Sequence, residues 1–151
     1  MEVIVKRFQE LNLEELYEIL RVRSEVFVVE QNCPYLDPDG RDIDSEHLMI
    51  RENGEILAYA RILKPGISYQ ESSIGRVLTV EKARGRSLGK KLIEEAINHI
   101  TGVWKERKIR ISAQAYLLKF YSELGFQQVS EVYMEDDIPH IEMVYEKEGE
   151  R

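Results

Sequence analysis

The spacing of apolar side chains near the start of the chain predicts a strand and then an amphipathic helix. Residues 3–8 form a β-branched run typical of a short strand. Asn12 and Glu15 form a capping pair, and the apolar side chains beyond them recur at helical spacing, which predicts a helix from about Leu13 into Val28 or Val29. The positions that recur on this face are Leu16, Ile19, Leu20, Arg23, Val26 and Phe27.

The middle of the chain is predicted to contain a long loop and three strands. Residues 32–42 are rich in Pro, Gly and Asp, which is typical of a surface loop. The apolar segments 47–51 and 56–63 flank an Asn-Gly pair, a strong signal for a β-hairpin. Residues 73–80 predict another strand, in which Gly75 marks a bulge or a close approach of another backbone.

Helices and strands alternate in the second half of the chain. The clearest helix starts near Arg86, and its apolar stripe reaches Ile100. A shorter helix over 116–124 is stopped by Gly125. The remaining apolar segments, 108–113, 129–134 and 138–145, are predicted strands.

The predicted elements follow the order β-α-(α or loop)-β-β-β-α-β-α-β-β, which indicates an α/β domain. The strand–helix–strand unit between residues 73 and 113 makes those two strands parallel, and the others are expected to be antiparallel. We therefore expect one mixed, mostly antiparallel sheet of about seven strands, with about four helices on its faces. The domain would span residues 1–146, and 147–151 would be a charged tail.

Composition and charge narrow the classes of function. The 151 residues include 21 Lys and Arg against 28 Asp and Glu, a net charge of −7, which disfavours nucleic acid and anionic membranes as partners. Cys33 is the single cysteine and can form neither an internal disulfide nor a Cys-rich zinc site. Counted from Asp37, the EF-hand positions for glycine and glutamate hold Asp42 and Leu48, so no metal site is predicted. Because we find neither a membrane-length apolar run nor a signal peptide, we expect a cytoplasmic protein.

A glycine-containing turn between the strand 73–80 and the next helix is the most informative segment. Five cations and one anion lie between residues 81 and 91, and the free backbone N–H groups of a helix start add positive potential, which suits a phosphate or pyrophosphate. A Walker A loop is excluded because three residues separate Gly85 from Gly89 and Lys91 replaces the required Ser or Thr. The Rossmann glycine pattern is absent as well. The alternative is a plain turn before a solvated basic helix face.

Two motifs resemble the signatures of the GNAT N-acetyltransferases. Residues 84–89, Arg-Gly-Arg-Ser-Leu-Gly, resemble the R-x-x-G-x-G/A signature, and residues 120–126, Phe-Tyr-Ser-Glu-Leu-Gly-Phe, resemble F-Y-x-x-x-G-F. The resemblance covers essentially the whole chain. Six further stretches resemble the ElaA-type branch of that family: 26–31, 33–35, 39–48, 60–63, 75–77 and 138–141.

The resemblance implies that acetyl-CoA is a co-substrate and lies between the fourth and fifth strands. The backbone of 77–79 would pair with the pantetheine arm and the acetyl carbonyl as an added strand does, and the amides of 85–90 would hold the pyrophosphate. Ser87 replaces the first glycine of the signature, and its Cβ narrows the approach of the pyrophosphate unless the local dihedral angles suit it. The cofactor-binding candidates are Val77, Leu78, Thr79, Arg84, Gly85, Arg86, Ser87, Leu88, Gly89 and Lys90.

The implied reaction is direct attack of a neutral amine on the thioester in a ternary complex, which needs an oxyanion donor, an acid and a base. A backbone N–H near Val77 matches the oxyanion donor, and Tyr121 matches the family tyrosine that protonates the leaving thiolate. The candidate bases are His140 and His47, because imidazole titrates near neutral pH. Each histidine can equally be a strand residue hydrogen-bonded to a neighbour. The further candidates are Glu30, Asp44 and a water chain.

The acceptor side of the predicted site carries charges of both signs. The acidic loop after Cys33 and the segment 135–137 would rim the acceptor pocket and favour a cationic amine, unless they are merely a solvated surface. Arg61 and Arg76 lie in apolar strands, where an arginine usually pairs with a carboxylate; either could instead bind a carboxylate of the acceptor. The acceptor-binding candidates are Gln31, Tyr35, Asp44, Arg61 and Arg76.

These features predict an N-acetyltransferase that moves an acetyl group from acetyl-CoA to a primary amine of a small molecule or a protein. Two alternatives stay open: a regulatory module that binds acyl-CoA without turnover, and an interaction protein that uses the fold as a scaffold. We expect no metal, nucleic acid or membrane among its partners. A homodimer stays open, because nothing in the composition decides it.

Overall fold

The computed structural model describes residues 1–149, and within them the chain forms eight strands and three α-helices. The strands are β1 (Glu2–Arg7), β2 (Glu46–Glu52), β3 (Glu55–Leu63), β4 (Ser73–Thr79), β5 (Lys108–Gln114), β6 (Gln127–Gln128), β7 (Tyr133–Glu135) and β8 (Ile138–Glu146). The α-helices are α1 (Leu13–Arg23), α2 (Leu88–Asn98) and α3 (Leu118–Glu123).

The strands form two antiparallel sheets that meet at one point. The first sheet has the order β1-β2-β3-β4; the second has the order β5-β8-β6, with β7 also paired to β8. Ser72 and Ile109 form a parallel bridge between them, and the Arg110 N–H donates to the Ser72 carbonyl at 2.8 Å. Beyond this bridge β4 and β5 do not pair within the described residues. The predicted parallel direction of β4 and β5 is confirmed by this bridge. The one mixed sheet that we expected is divided into two four-stranded sheets, and a gap opens between β4 and β5.

Local sequence signals explain the helix start and the hairpin. The Asn12 Oδ1 accepts from the Glu15 N–H at 2.7 Å, and the Glu15 carboxylate accepts from the Asn12 N–H at 2.9 Å, which is the predicted capping box. The helix continues past α1 as a π-helical segment, Ser24–Glu30. Asn53 and Gly54 have φ of 53° and 78°, as the predicted hairpin turn requires.

The core lies on both faces of the first sheet. Every residue of β3 after Glu55 is buried, so this strand is covered on both faces rather than on one. From α1, Ile19 and Val22 are fully buried, and from α2, Leu92 and Ile93 are fully buried. The helices therefore hold the first sheet rigid beside the gap.

A β-bulge interrupts β4 where it borders the gap. Leu78 opposes Tyr59 and Gly75 opposes Arg61, so two residues of β4, 76 and 77, oppose one residue of β3. A Cβ on Gly75 would meet no atom within 4 Å, so of the two predicted roles of this glycine the bulge is correct and the close approach is wrong.

The predicted strand over 129–134 is correct only for its last two residues. In the structure β6 ends at Gln128 and β7 begins at Tyr133. Val129 and Val132 are 49% and 60% exposed. Because no neighbouring element among the described residues buries these apolar side chains, the segment does not form a strand there.

The predicted charged tail begins at residue 147. The Lys147 N–H donates to the Arg107 carbonyl at 2.8 Å, so the first residue of the predicted tail is hydrogen-bonded to the domain. Residues 150–151 of that tail lie outside the described residues.

Among the described helices, none has the length and apolar character needed to cross a membrane.

Candidate active site

A cavity of about 890 Å³ occupies the gap between β4 and β5. Its walls include residues 73–79 of β4, 111–114 of β5, and Tyr121 of α3. A second cavity of about 380 Å³ lies against the glycine turn. Both are lined by Thr79, Arg84, Gly89 and Phe120, so together they form one groove that runs from the turn to the bulge in β4.

The glycine turn presents backbone N–H groups to this groove. The first helical bond of α2 runs from the Lys91 N–H to the Ser87 carbonyl at 3.3 Å. Within the described part of the chain, no protein oxygen accepts from the backbone N–H groups of residues 85–90. Six consecutive amides are therefore available to a phosphate or diphosphate at the positive end of the α2 dipole.

The cationic side chains of the turn are held by surface carboxylates. Arg84 donates to the Thr79 carbonyl at 3.1 Å and to Glu30 at 2.7 Å, which ties the turn to β4 and to the π-helical segment. The Arg86 guanidinium donates to Glu52 at 3.0 Å, and Arg86 lines neither cavity. Among the predicted cofactor-binding residues, the Arg86 side chain is therefore held at Glu52 and lies outside the groove.

Ser87 adopts the left-handed backbone conformation that its place in the turn demands. Its φ is 58° and its ψ is 25°, and its side chain does not cap α2. A left-handed conformation costs a non-glycine residue roughly 1–2 kcal/mol. The position therefore favours glycine, and the backbone accommodates serine with strain.

We expect Ser87→Gly to raise the free energy of unfolding by up to about 1 kcal/mol, because relief of backbone strain exceeds the added entropy of the unfolded chain. Ser122→Gly, at an exposed position in the last turn of α3, is the matched control and should lose a few tenths of a kcal/mol. Urea unfolding of both variants measures the difference. A loss of stability in Ser87→Gly equal to that in the control would contradict the strain.

The C-terminal end of helix α3 fixes Tyr121 at the cavity. The Phe126 N–H donates to the Tyr121 carbonyl and the Gly125 N–H to the Ser122 carbonyl, both at 3.1 Å, which is a Schellman motif. Gly125 has a φ of 100°, and a Cβ there would lie 3.0 Å from the Tyr145 ring, so the position requires glycine.

The Tyr121 ring is buried, while its hydroxyl faces no hydrogen-bond partner in the part of the chain that the structure describes. The residue is 5% exposed, and its ring packs edge-on against Phe120 and Phe126 at centroid distances of 5.0 and 5.6 Å. Among residues 1–149 no group hydrogen-bonds its hydroxyl. Burial raises the pKa of the phenol above its ordinary value, so it keeps its proton at neutral pH. A proton donor without a protein acceptor is thus held at the cavity wall.

Comparison with known proteins decides the family. A model of the acetyltransferase (GNAT) domain matches residues 23–147. The chain belongs to the GNAT acetyltransferase family. The general reaction of this family is acetyl-CoA-dependent N-acetyl transfer.

The similar proteins include members of the ElaA-type branch. The protein ElaA of Escherichia coli is 45% identical over 139 residues, which are 91% of this chain and 91% of ElaA. A UPF0039 protein of Synechocystis is 43% identical over 141 residues, 93% of this chain and 92% of that protein.

Solved structures agree with this assignment. An acyl-CoA N-acyltransferase from Pseudomonas aeruginosa has a TM-score of 0.90 at 44% identity, with 96% of this chain and 99% of that chain covered. The crystal structure of Escherichia coli ElaA has a TM-score of 0.90 at 42% identity, with the same coverage of 96% and 99%. The predicted GNAT fold and the ElaA-type resemblance are confirmed.

His47 is wrong as a candidate base of this GNAT domain. It is fully buried and lines neither cavity. Its Nδ1 lies 2.7 Å from the Tyr59 hydroxyl and its Nε2 lies 2.9 Å from the Asp42 carbonyl, so both ring nitrogens are occupied. Burial lowers the pKa of His47. The prediction that Asp44 acts as a base or binds the acceptor is wrong as well, because its exposed side chain does not line the cavity.

His140 does line the cavity, on the β8 side. Its Nδ1–H donates to the Ile138 carbonyl at 2.7 Å, and its ring stacks on Tyr133. Its Nε2 lies 3.3 Å from the Glu135 carboxylate. In a neutral ring, the Nδ1 hydrogen bond leaves Nε2 as the acceptor nitrogen. Glu30 also lines the cavity but is occupied by Arg84.

Buried ion pairs hold the acidic loop against the first sheet. Arg23, fully buried, donates to Asp37 at 2.8 Å and to Asp42 at 2.7 Å. Arg61 donates to both carboxylate oxygens of Asp39 at 2.8 Å and to Asp42 at 3.0 Å. These aspartates bind arginines of the protein rather than an acceptor amine. Sequence reasoning missed the role of Arg23.

The bulge residue Arg76 completes this cluster, the Arg–Asp network (Arg23, Arg61, Arg76, Asp37, Asp39 and Asp42). It donates from Nε to the Asp37 carboxylate and from Nη2 to the Asp37 carbonyl, both at 2.9 Å. Its guanidinium lies 5.6 Å from the centre of the Tyr35 ring. Arg76, Tyr35, Gln31 and Arg61 all line the cavity, as expected of the acceptor-binding candidates.

The Arg–Asp network should make stability depend on acid pH. Burial alone would raise the pKa of Asp42, but the hydrogen bonds and charges of Arg23 and Arg61 outweigh it and lower that pKa. Stability from this carboxylate is therefore present above its unfolded pKa of about 3.9 and lost as the pH falls through the lower folded value. We expect Asp42→Asn to lower the thermal midpoint at pH 7, with a difference from the native protein that shrinks below about pH 4. A constant difference across thermal scans from pH 7 to pH 3 would contradict this, and Asp44→Asn is the exposed control.

Proposed function

We propose that this protein transfers an acetyl group from acetyl-CoA to a primary amine by direct attack in a ternary complex. The observation that carries the proposal is the continuous groove, which joins the unpaired amides of 85–90 to the hydroxyl of Tyr121 through the gap beside the β4 bulge. One end of the groove suits a diphosphate and the other end offers a proton donor. The bound co-substrate would supply the thioester to be attacked.

The residues of the turn fit the co-substrate. Within residues 1–149 the amides of 85–90 have no competing protein acceptor, and Gly89 borders both cavities. Leu78 and Thr79 of β4 pair with β3 on one side, and residues 77–79 line the cavity on the other. An extended pantetheine arm can add to this open edge as a further strand does.

The bulge and Tyr121 fit the requirements of the reaction. Because the ladder is broken at 76–77, a backbone N–H near Val77 can stabilise the negative charge that develops on the acetyl oxygen. Tyr121 then donates its phenolic proton to the departing thiolate. His140 accepts the proton of the attacking amine at Nε2, and the neighbouring Glu135 carboxylate stabilises the imidazolium so formed.

Release of free thiol from acetyl-CoA in the presence of a panel of primary amines tests this function. We expect at least one amine to give turnover that saturates in both substrates without a covalent acetyl-enzyme. Binding of acetyl-CoA without turnover for any amine would instead support a regulatory module. Failure to bind coenzyme A at millimolar concentration would support a scaffold that has no acyl-CoA chemistry.

A further inference from the structure

The two walls of the acceptor side of the cavity carry opposite charges. Arg41, Arg61 and Arg76 line it from the first sheet and the loop before β2. Glu135, at the end of β7, and Asp136, in the turn to β8, line it from the second sheet. The gap between the sheets therefore separates a cationic wall from an anionic wall.

Contacts within the protein hold the guanidinium of Arg76 in place on the cationic wall. Arg76 has a φ of 49°, a strained conformation for a side chain of its size, and its two bonds to Asp37 hold it there. Its side chain is 23% exposed. Among the described residues its Nη1 has no hydrogen-bond partner within the protein, so the fixed guanidinium keeps an unused donor at the cavity.

This wall also keeps a positive charge that the protein does not neutralise. The Arg–Asp network contains three arginines and three aspartates, so it is balanced within itself. Arg41 lies outside it, and in the described part of the chain its guanidinium donates only to the Ser68 hydroxyl, at 3.3 Å. The Arg61 Nε–H is buried without a partner among these residues. Positive charge and donors on this wall exceed what the protein itself uses.

The opposite wall suits an ammonium group. The Glu135 carboxylate is half exposed and lies 3.3 Å from the His140 Nε2, and Asp136 pairs with no cation in the described residues. Carboxylates beside an acceptor imidazole nitrogen attract a protonated amine, and the imidazole nitrogen then receives its proton. A purely cationic acceptor would satisfy this wall alone and would leave the cationic wall unpartnered.

We propose that the acceptor is a small amino carboxylate, with its carboxylate on Arg41 and Arg76 and its amine directed to His140 and Glu135. The inference rests on the proposed acetyl transfer and adds the class of acceptor. A charged hydrogen bond to a carboxylate contributes about 1.5–3 kcal/mol, which corresponds to about 10- to 150-fold in kcat/KM. A carboxamide of the same shape keeps the amine and loses that charge.

Matched acceptors test this assignment by thiol release from acetyl-CoA. A panel of free amino acids is compared with the corresponding carboxamides and decarboxylated amines. We expect kcat/KM for the preferred amino acid to exceed that of its carboxamide by about 10- to 150-fold. In Arg41→Gln this ratio should fall by about tenfold or more, and Arg76→Gln should lower it as well. Arg7→Gln, an exposed arginine on β1 that lines neither cavity, should keep the ratio of the native protein.

The outcomes separate this inference from the transfer itself. Turnover of carboxamides or decarboxylated amines equal to that of the amino acids overturns the inference and leaves the transfer intact. A carboxylate preference that Arg41→Gln does not change overturns the assignment to this wall; because Arg41 is exposed, that variant should fold normally. Absence of thiol release with every amine, charged or neutral, overturns the proposed transfer and the inference with it.

Discussion

Replacement of Tyr121 by Phe is expected to lower turnover at saturating acetyl-CoA by about tenfold or more. The substitution removes one hydroxyl from the cavity wall and keeps the ring that packs between Phe120 and Phe126. Without its proton the leaving thiolate departs unaided, so the loss belongs to kcat rather than to the binding of acetyl-CoA. Steady-state thiol release, with KM for acetyl-CoA determined alongside, measures the effect.

Tyr145→Phe is the matched control for this substitution. Tyr145 packs against the same Phe126 ring, with centroids 5.6 Å apart, and it lines neither cavity. Loss of the Tyr145 hydroxyl should leave kcat within about twofold of the native value, because this residue does not border the cavity. Equal turnover of Tyr121→Phe and the native protein would remove Tyr121 from the role of acid.

Replacement of Arg23 by Met should destabilise the protein by about 3–5 kcal/mol. The arginine is fully buried and donates to two carboxylates and to the Asp37 carbonyl. Its loss leaves three carboxylates of the network with only two arginines, so one buried negative charge is uncompensated. Since total stability is about 5–15 kcal/mol for a domain of this kind, the variant is expected to be near unfolding at 37 °C. Urea unfolding at pH 7 and 25 °C measures the change.

Arg21→Met, two residues earlier in the same helix and on its exposed side, isolates the effect of burial. Arg21 also bonds two carboxylates, those of Glu18 and Glu25, but its side chain is 50% exposed. Exposed pairs of this kind contribute about 1 kcal/mol or less. Similar losses for the two variants would show that the Arg–Asp network is no more than a set of surface ion pairs.

Elements with a local cause could be predicted from the sequence. The capping box at Asn12, the Asn-Gly hairpin and the helix stop at Gly125 all depend on neighbouring residues, and the structure has each of them where expected. The glycine turn before α2 was predictable for the same reason. Its strained Ser87 was visible as a departure from the family signature.

Features that depend on contacts distant in the chain could not be placed. His47 and His140 look equivalent in the sequence, yet His47 faces the core of the first sheet and His140 the cavity. Arg23 did leave a signal, because a charged residue on the apolar face of a helix requires buried counter-charges. Asp37 and Asp42 supply them from 14 and 19 residues away, a pairing that only the folded loop determines.

Amide hydrogen exchange with and without coenzyme A tests most directly whether the groove holds the co-substrate. Binding is expected to slow exchange at the N–H groups of residues 85–90 and along 77–79. The diphosphate and the pantetheine arm would accept hydrogen bonds from these N–H groups or shield them from water. Pantetheine, which lacks the diphosphate, should protect 77–79 and leave 85–90 exchanging as in the free protein. Saturating coenzyme A that leaves exchange at 85–90 unchanged would contradict the account.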